Sequence, residues 1–218
     1  MLYQIKNSLK KIPFISSLLT INTLLINKKS YLRSTGYLQS FKQGHPCSAD
    51  GEFLPWMNYP VIALLDERLN KKINIFEYGS GYSTKFYAKR VNTVTSLEYN
   101  HFWYKKIKKT LPSNVNLIFQ ESDIDKQYCR AIHKTQKKYE LIIIDGDDRE
   151  NCMRECITAL SENGIVLLDD SQREEYDASI KQLEDSGFKR IHFEGLKPKG
   201  KHMERTTVFY RDNNCFGI

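Results

Sequence analysis

The chain has 218 residues, 40% of them hydrophobic and 27% charged, with a formal net charge of +7. That suffices for a packed core in one domain with a short appendage and excludes wholesale disorder. No apolar run reaches the ~18 residues of a spanning helix, and a mean hydropathy of −0.53 excludes a polytopic membrane protein.

The charge is unevenly placed. Residues 1–49 carry Lys6, Lys10, Lys11, Lys28, Lys29, Arg33 and Lys42 and no Asp or Glu. Of 33 Lys and Arg, those seven leave 26 to face 26 Asp and Glu from Asp50 onward. The body is therefore neutral and the excess sits in an arm, taken as residues 1–45, ahead of a domain over 46–218. A nucleic-acid-binding domain carries its basic patch on the fold itself, so no nucleic-acid partner is expected. The five cysteines, Cys47, Cys129, Cys152, Cys156 and Cys215, form no Cys-x-x-Cys pair. Cys152 and Cys156 share a helix face and read as small buried hydrophobes, which suits a reducing, cytoplasmic compartment.

In chain order, residues 1–27 set Lys6, Lys10 and Lys11 before the run IPFISSLLTINTLLI, with Lys28 and Lys29 after it. No small-residue cleavage site marks a secretory signal. Ser16, Ser17, Thr20, Asn22 and Thr23 spoil a spanning helix. Two readings stay open: a basic amphipathic helix whose residues 1–30 touch an anionic membrane, at its inner face, or a helix packed on the domain or on a partner subunit of a homodimer. Gly36 to Pro60 reads as a loop-rich bridge with a turn at Asp50-Gly51. Trp56, Met57 and Tyr59 within it either line a pocket lid or pin the loop to the core.

From Val61 the pattern alternates. VIALLDERL predicts a helix, INIFEYG a strand, YSTKFYAKRV a helix and TVTSLEY a strand. FWYKKIKKTL follows as a helix stopped by Pro112, then VNLIFQES as a strand and Gln127 to Gln136 as a helix. YELIIIDG is a strand buried on both faces, RENCMRECITAL a helix, GIVLLDD another buried strand, and EEYDASIKQLEDSG a helix. FKRIHFEG and RTTVFYR close the chain as an antiparallel edge hairpin. Such alternation predicts a parallel sheet with helices on both sides and a ligand at the carboxyl ends of the strands. Those ends are acidic: Glu77-Tyr78-Gly79, Glu98-Tyr99, Glu121-Ser122-Asp123, Asp145-Gly146 and Asp169-Asp170.

The first strand ends in E-Y-G-S-G-Y-S-T. Gly79 and Gly81 permit a tight turn, and Ser83 or Thr84 can cap the next helix. This differs from the dinucleotide fingerprint, because Thr84 stands where a third glycine would. An acid before the first glycine suits a cationic group better than a pyrophosphate. Glu98, closing the second strand, stands where a carboxylate accepts from ribose hydroxyls. A ribose with a positive, non-phosphorylated tail describes S-adenosylmethionine.

FEYGSGYST, SLEYN, ESD and the IIIDG strand resemble the successive motifs of class I S-adenosylmethionine-dependent methyltransferases, over about residues 61–212. The resemblance implies an α/β, Rossmann-like sheet of order 3-2-1-4-5-7-6 with the last strand antiparallel. It implies that Glu77, Gly79, Ser80 and Gly81 hold the methionine part, Glu98 the ribose, and Asp123 the adenine amino group. With their neighbours, the expected cofactor-binding set is Glu77, Gly79, Ser80, Gly81, Ser83, Thr84, Glu98, Tyr99, Ser122, Asp123 and Asp145. IDGDDREN, LLDDSQREEY, GFKRIHFEG and TTVFYRDNNCFGI are further similar to a small bacterial group within that class.

Asp145, Asp169 and Asp170 end two neighbouring strands, and three such carboxylates suit Mg²⁺. This is similar to metal-dependent O-methyltransferases acting on catechols and sugars, in which the ion binds vicinal hydroxyls and lowers the pKa of one. Ion pairing of the same acids with Arg149 and Arg173 is the alternative. Without a metal, Asp145 or Asp169 is the candidate base, and Arg149 can hold an anionic group on the acceptor. The expected activity is transfer of a methyl group to an oxygen of a sugar, a glycan or another hydroxylated metabolite. The competing readings are a non-catalytic cofactor-binding or membrane-docking protein on this fold, and an NAD-dependent oxidoreductase.

Overall fold

The computed structural model describes residues 13–122 and 126–218. Four helices lead: α1 (Pro13–Ile26), α2 (Tyr31–Ser34), α3 (Tyr37–Gln43) and α4 (Tyr59–Arg68). Strands and helices then alternate as β1 (Asn74–Tyr78), α5 (Tyr82–Arg90), β2 (Thr93–Glu98), α6 (His101–Lys108) and β3 (Val115–Phe119). Next come α7 (Gln127–Arg130), β4 (Tyr139–Ile144), α8 (Arg149–Cys156), β5 (Leu160–Leu168), α9 (Asp177–Asp185), β6 (Lys189–Gly195) and β7 (Glu204–Tyr210).

The seven strands form one sheet in the order β3-β2-β1-β4-β5-β7-β6. β1 pairs in parallel with β2 and β4, and β7 runs antiparallel to both β5 and β6. Two-residue alternation divides the core between the two faces of the sheet. Phe76, Tyr78, Ile142, Ile144, Val166 and Leu168 pack with Cys152, Met153 and Cys156 of α8 and with Ile180 and Leu183 of α9. Ile75, Leu141, Ile143, Ile165 and Leu167 pack on the other face with Leu65 of α4 and Phe86 and Tyr87 of α5. The near-continuous apolar runs of β4 and β5 exist because both faces are covered.

Three segments differ from the sequence reading. The bridge contains a helix, α3, set between Gly36 and Gly44, both at positive φ. The stretch expected as one helix over 127–136 is α7 followed by a 3-10 turn, His133–Thr135. There the Thr135 hydroxyl donates to the Ile132 carbonyl at 2.7 Å, competing with helix propagation. β5 begins at Leu160, four residues before Gly164, across a register shift opposite Tyr139 and Leu141. A Cβ at Gly164 would lie 2.5 Å from Leu160 Cγ, so the close crossing requires glycine there.

The bridge folds back on the sheet's carboxyl edge. The Tyr31 and Tyr59 rings meet edge-on at 5.9 Å. The Tyr37 hydroxyl donates to the Gly200 carbonyl at 2.7 Å, and Lys199 Nζ donates to the Gly44 carbonyl at 3.0 Å. Buried Ser40 donates to the Gly36 carbonyl at 2.9 Å and accepts from the Cys47 N–H at 3.0 Å.

Candidate functional site

Backbone pairing continues past the strand ends and sets the loops side by side. The N–H of Gly79 donates to Leu97 O at 2.8 Å, that of Asp145 to Tyr78 O at 3.0 Å, and that of Asp169 to Ile144 O at 3.1 Å. The loops after β1 and β4 touch backbone to backbone. A Cβ on Gly79, which sits at φ +91°, would lie 2.8 Å from Asp145 O, and one on Gly146 would lie 2.8 Å from Gly79 N. Glycine at both positions is what permits this approach.

Above this contact opens a cleft of about 460 Å³. Gly79, Ser80, Gly81 and Ser83 line it from the first loop, Glu98 and Tyr99 from the second, and Asp145, Gly146 and Arg149 from the fourth. Pro46, Trp56, Tyr82, Asn100 and Trp103 complete the wall. The bridge thus contributes Trp56 to the cleft, whereas Met57 and Tyr59 are buried in the core.

Glu77 lies beneath the turn. Ser83, Thr84 and Ser96 donate their hydroxyls to its carboxylate at 2.5, 2.6 and 2.7 Å. Thr84, in place of a third glycine, also accepts from the Gly81 N–H at 2.9 Å, so one side chain joins the turn to the buried acid. Burial pushes the Glu77 carboxyl up to about 7, the three hydroxyls pulling the other way.

Glu98 is buried yet reaches the cleft. Its Oε2 accepts from the Ser80 N–H at 3.1 Å and hydroxyl at 2.7 Å, and its Oε1 from the Asn100 N–H at 2.8 Å. A carboxylate has about four acceptor positions, so the residue is held in place with one still open. Asn100 caps α6 by accepting from the Trp103 N–H at 2.9 Å, and Trp103 Nε1 donates to Ser80 O at 2.8 Å. The indole therefore pins the turn.

The three aspartates are brought together with cations among them. Arg149 Nε donates to Gly146 O at 2.9 Å, and its terminal nitrogens reach Asp169 O at 2.6 Å, Asp170 Oδ2 at 3.5 Å, Asp145 O at 3.4 Å and Asp145 Oδ1 at 3.1 Å. Its five donors are thus directed at the β4 and β5 ends. Asp170 further faces Arg173 at 2.9 Å and Lys197 at 3.2 Å. Asp169 is buried and accepts from the Thr206 hydroxyl at 2.6 Å, which in turn accepts from the Asn58 amide at 2.9 Å.

Burial raises Asp145 above the usual carboxylate range; Arg149 opposes this, while Asp170 and Glu77 add to it. Asp169 is raised by burial and by the charges of Asp145 and Asp170. Burial also acts on Asp170, but Lys197, Arg149 and Arg173 outweigh it and hold that carboxyl low.

The expected metal site on Asp145, Asp169 and Asp170 does not fit this arrangement. Arg149 pairs with Asp145 and Asp170, Arg173 and Lys197 pair with Asp170, and Asp169 is taken by the Thr206 hydroxyl, so a divalent ion would meet three cationic side chains at close range. Among the described residues no group of three or more Asp, Glu, His or Cys could hold an ion. Of the expected cofactor set, Gly79, Ser80, Gly81, Ser83, Glu98, Tyr99 and Asp145 line the cleft. Glu77 and Thr84 lie beneath it, Ser122 is exposed beyond β3 and outside the lining, and Asp123 falls outside the described residues.

Sequence reading missed Tyr82, Asn100 and Trp103, although each lies within about five residues of a strand end. Lys197 carries no local signal; only the β6–β7 hairpin brings it to the acids.

No protein-family model matches the chain, and no curated relative matches it. Solved structures do. A protein of Staphylococcus aureus, provisionally assigned as a caffeoyl-CoA O-methyltransferase, aligns at TM-score 0.56 and 15% identity over 81% of this chain and 98% of its own. One of Klebsiella pneumoniae, provisionally assigned as an O-methyltransferase, aligns at 0.55 and 14% over 89% and 96%. Precorrin-6y C5,15-methyltransferase of Geobacter metallireducens aligns at 0.52 and 15% over 69% and 86%. The strand order and the antiparallel β7 are those of this class: the chain has the Rossmann-like fold of the class I methyltransferases.

Proposed function

We propose that the chain is an S-adenosylmethionine-dependent methyltransferase directed at an oxygen of a sugar, a glycan or another hydroxylated small molecule. The observation that carries this reading is the pairing of the glycine turn with Glu98 across one cleft. Gly79 and Gly146 let the two loops close on each other beneath the cleft, Gly81 presents bare backbone to it, and Glu98 keeps an acceptor position for a ribose hydroxyl. Two of the fold neighbours carrying O-methyltransferase assignments supports the choice of oxygen.

The cofactor supplies a methyl group on a positively charged sulfur, so most of what remains for the protein is positioning. Tyr99 and Trp103 offer aromatic walls, and the Ser80 to Gly81 backbone faces the ligand. Asp145, raised by burial and open to the cleft, takes the acceptor's hydroxyl proton. Asp169 is too enclosed for that role. Arg149 spends its donors on the β4 and β5 ends, which makes it a positioning residue for Asp145 rather than an anchor for an anionic acceptor.

Isothermal titration of S-adenosylmethionine and S-adenosylhomocysteine into the wild type and Glu98→Ala tests the reading. Micromolar binding is expected, weakened about 10- to 100-fold in the variant by loss of a charged hydrogen-bond partner. A wild type that binds neither ligand overturns the proposal.

A further inference from the structure

We infer that α1 docks the protein on an anionic membrane surface, lying in the headgroup region with the cleft edge of the sheet beside it. The helix spans Pro13–Ile26 and buries none of its residues. Phe14, Leu18, Leu19, Ile21, Leu24, Leu25 and Ile26 are 39–72% exposed. An apolar patch of this kind on one element marks an interaction surface. The remaining question is what covers it.

The polar residues of α1 point to lipid. It carries no charged side chain. Two of its hydroxyls are satisfied by the helix itself: Thr20 donates to Ser16 O at 2.9 Å and Thr23 to Leu19 O at 2.8 Å. Such groups need no water and no partner protein, so entry into a low-dielectric layer costs little. Two carbonyls of the last turn are also taken. Ser30 Oγ donates to Leu24 O at 2.6 Å and Arg33 Nε to Leu25 O at 2.6 Å. Among the described residues no helix is long and apolar enough to cross a membrane, and the fourteen described residues of this one rise about 21 Å against a ~30 Å hydrocarbon layer, which favours a helix lying along the surface.

Charge selects the occupant. Residues 1–49 hold seven basic side chains and no acid, and Lys28 and Lys29 follow the helix after Asn27. A second copy of this chain would bring the same positive charge against it; anionic headgroups complement it, at about fivefold in affinity for each basic residue near the surface. The following segment fixes the orientation. Tyr31 packs on Tyr59, and Tyr37 and Gly44 hold the β6–β7 loop, at the end of the sheet where the cleft opens.

The test is flotation of the full chain with phosphatidylcholine vesicles, with and without phosphatidylglycerol. Light scattering of the free protein and a thermal melt of each variant run alongside. The wild type is expected to be monomeric and to float only with the anionic vesicles, and high salt is expected to release it. Leu18→Glu with Leu25→Glu is expected to reduce binding at least tenfold with an unchanged melt. Lys28→Glu with Lys29→Glu is expected to reduce it by about the fivefold per lysine given above or more. Three results overturn the inference: no flotation of the wild type, equal flotation on neutral vesicles, or a dimer that Leu18→Glu with Leu25→Glu dissociates. None depends on the cofactor, so failure here is separate from failure of the methyltransferase reading.

Discussion

Glu77 shows how a single side chain can organise a site it does not enter. The acid is buried, and its three hydroxyl donors come from α5 and β2, so it ties the helix start, the glycine turn and the neighbouring strand together. Its carboxyl is pushed up to about 7 from an ordinary 4.5 by burial. The folded state therefore binds a proton more tightly than the unfolded chain, and stability falls as pH rises between those two values. The difference between those values corresponds to about 3 kcal/mol, the cost of keeping the charge buried above pH ~7. Glu77→Gln removes this component and leaves those of Asp145 and Asp169. Urea unfolding at about pH 5 and about pH 8 should show the variant gaining on the wild type at the higher pH by up to that amount. A stability difference that is the same at both values would refute the account.

At the scale of elements, the meeting of the β1 and β4 loops is the tightest feature of the site. Besides its approach to Gly79, a Cβ on Gly146 would sit 2.1 Å from the hydroxyl of Tyr128, which is buried in the core. Gly146→Ala must push Tyr128 or the two loops apart and is expected to cost about 1–3 kcal/mol. It should weaken S-adenosylhomocysteine binding in titration as the loops separate. Gly44→Ala is the control: nothing lies within 4 Å of its Cβ, so its penalty is backbone strain alone and ligand affinity should stay unchanged. Equal affinities in the two variants would show that the loop contact does not shape the cleft. These elements were legible from sequence because two-residue and helical periods, apolar runs and glycine stops are local signals. Glu77, Glu98 and Asp145 were legible for the same reason, as acids closing strands. Burial was not. That Glu77 lies below the turn, that Arg149 spends its donors on two loops, and that Lys197 arrives among the aspartates are all products of tertiary contact. The ion-pairing alternative named Arg149 and Arg173 because they stand close in sequence to the acids; Lys197 was not legible, because it reaches Asp170 on a hairpin 27 residues away.

For the whole molecule, the question is where the cooperatively folded unit begins. Composition suggested an arm over 1–45, but the contacts divide that stretch. α1 buries nothing, whereas Ser30 and Ser40 are buried, and Tyr31, Tyr37 and Gly44 all touch the body. Ser40 is a hub: its hydroxyl accepts from the Cys47 N–H at 3.0 Å and has its single proton to share between the Gly36 and Cys47 carbonyls at 2.9 and 3.0 Å. Ser40→Val leaves the Cys47 N–H without its acceptor in a buried position, while the Gly36 carbonyl keeps the residue-40 N–H, and should cost about 1–3 kcal/mol. Leu18→Ser with Leu25→Ser changes only exposed side chains and should shift stability by no more than about 0.5 kcal/mol. Urea unfolding of the two variants against the wild type, in the absence of lipid, measures both. With that outcome, the folded unit includes α2 and α3, and α1 is an appendage whose apolar surface is kept free for a partner outside the chain. If the two leucine substitutions cost as much as Ser40→Val, the helix is covered within the isolated protein and its surface is part of the core.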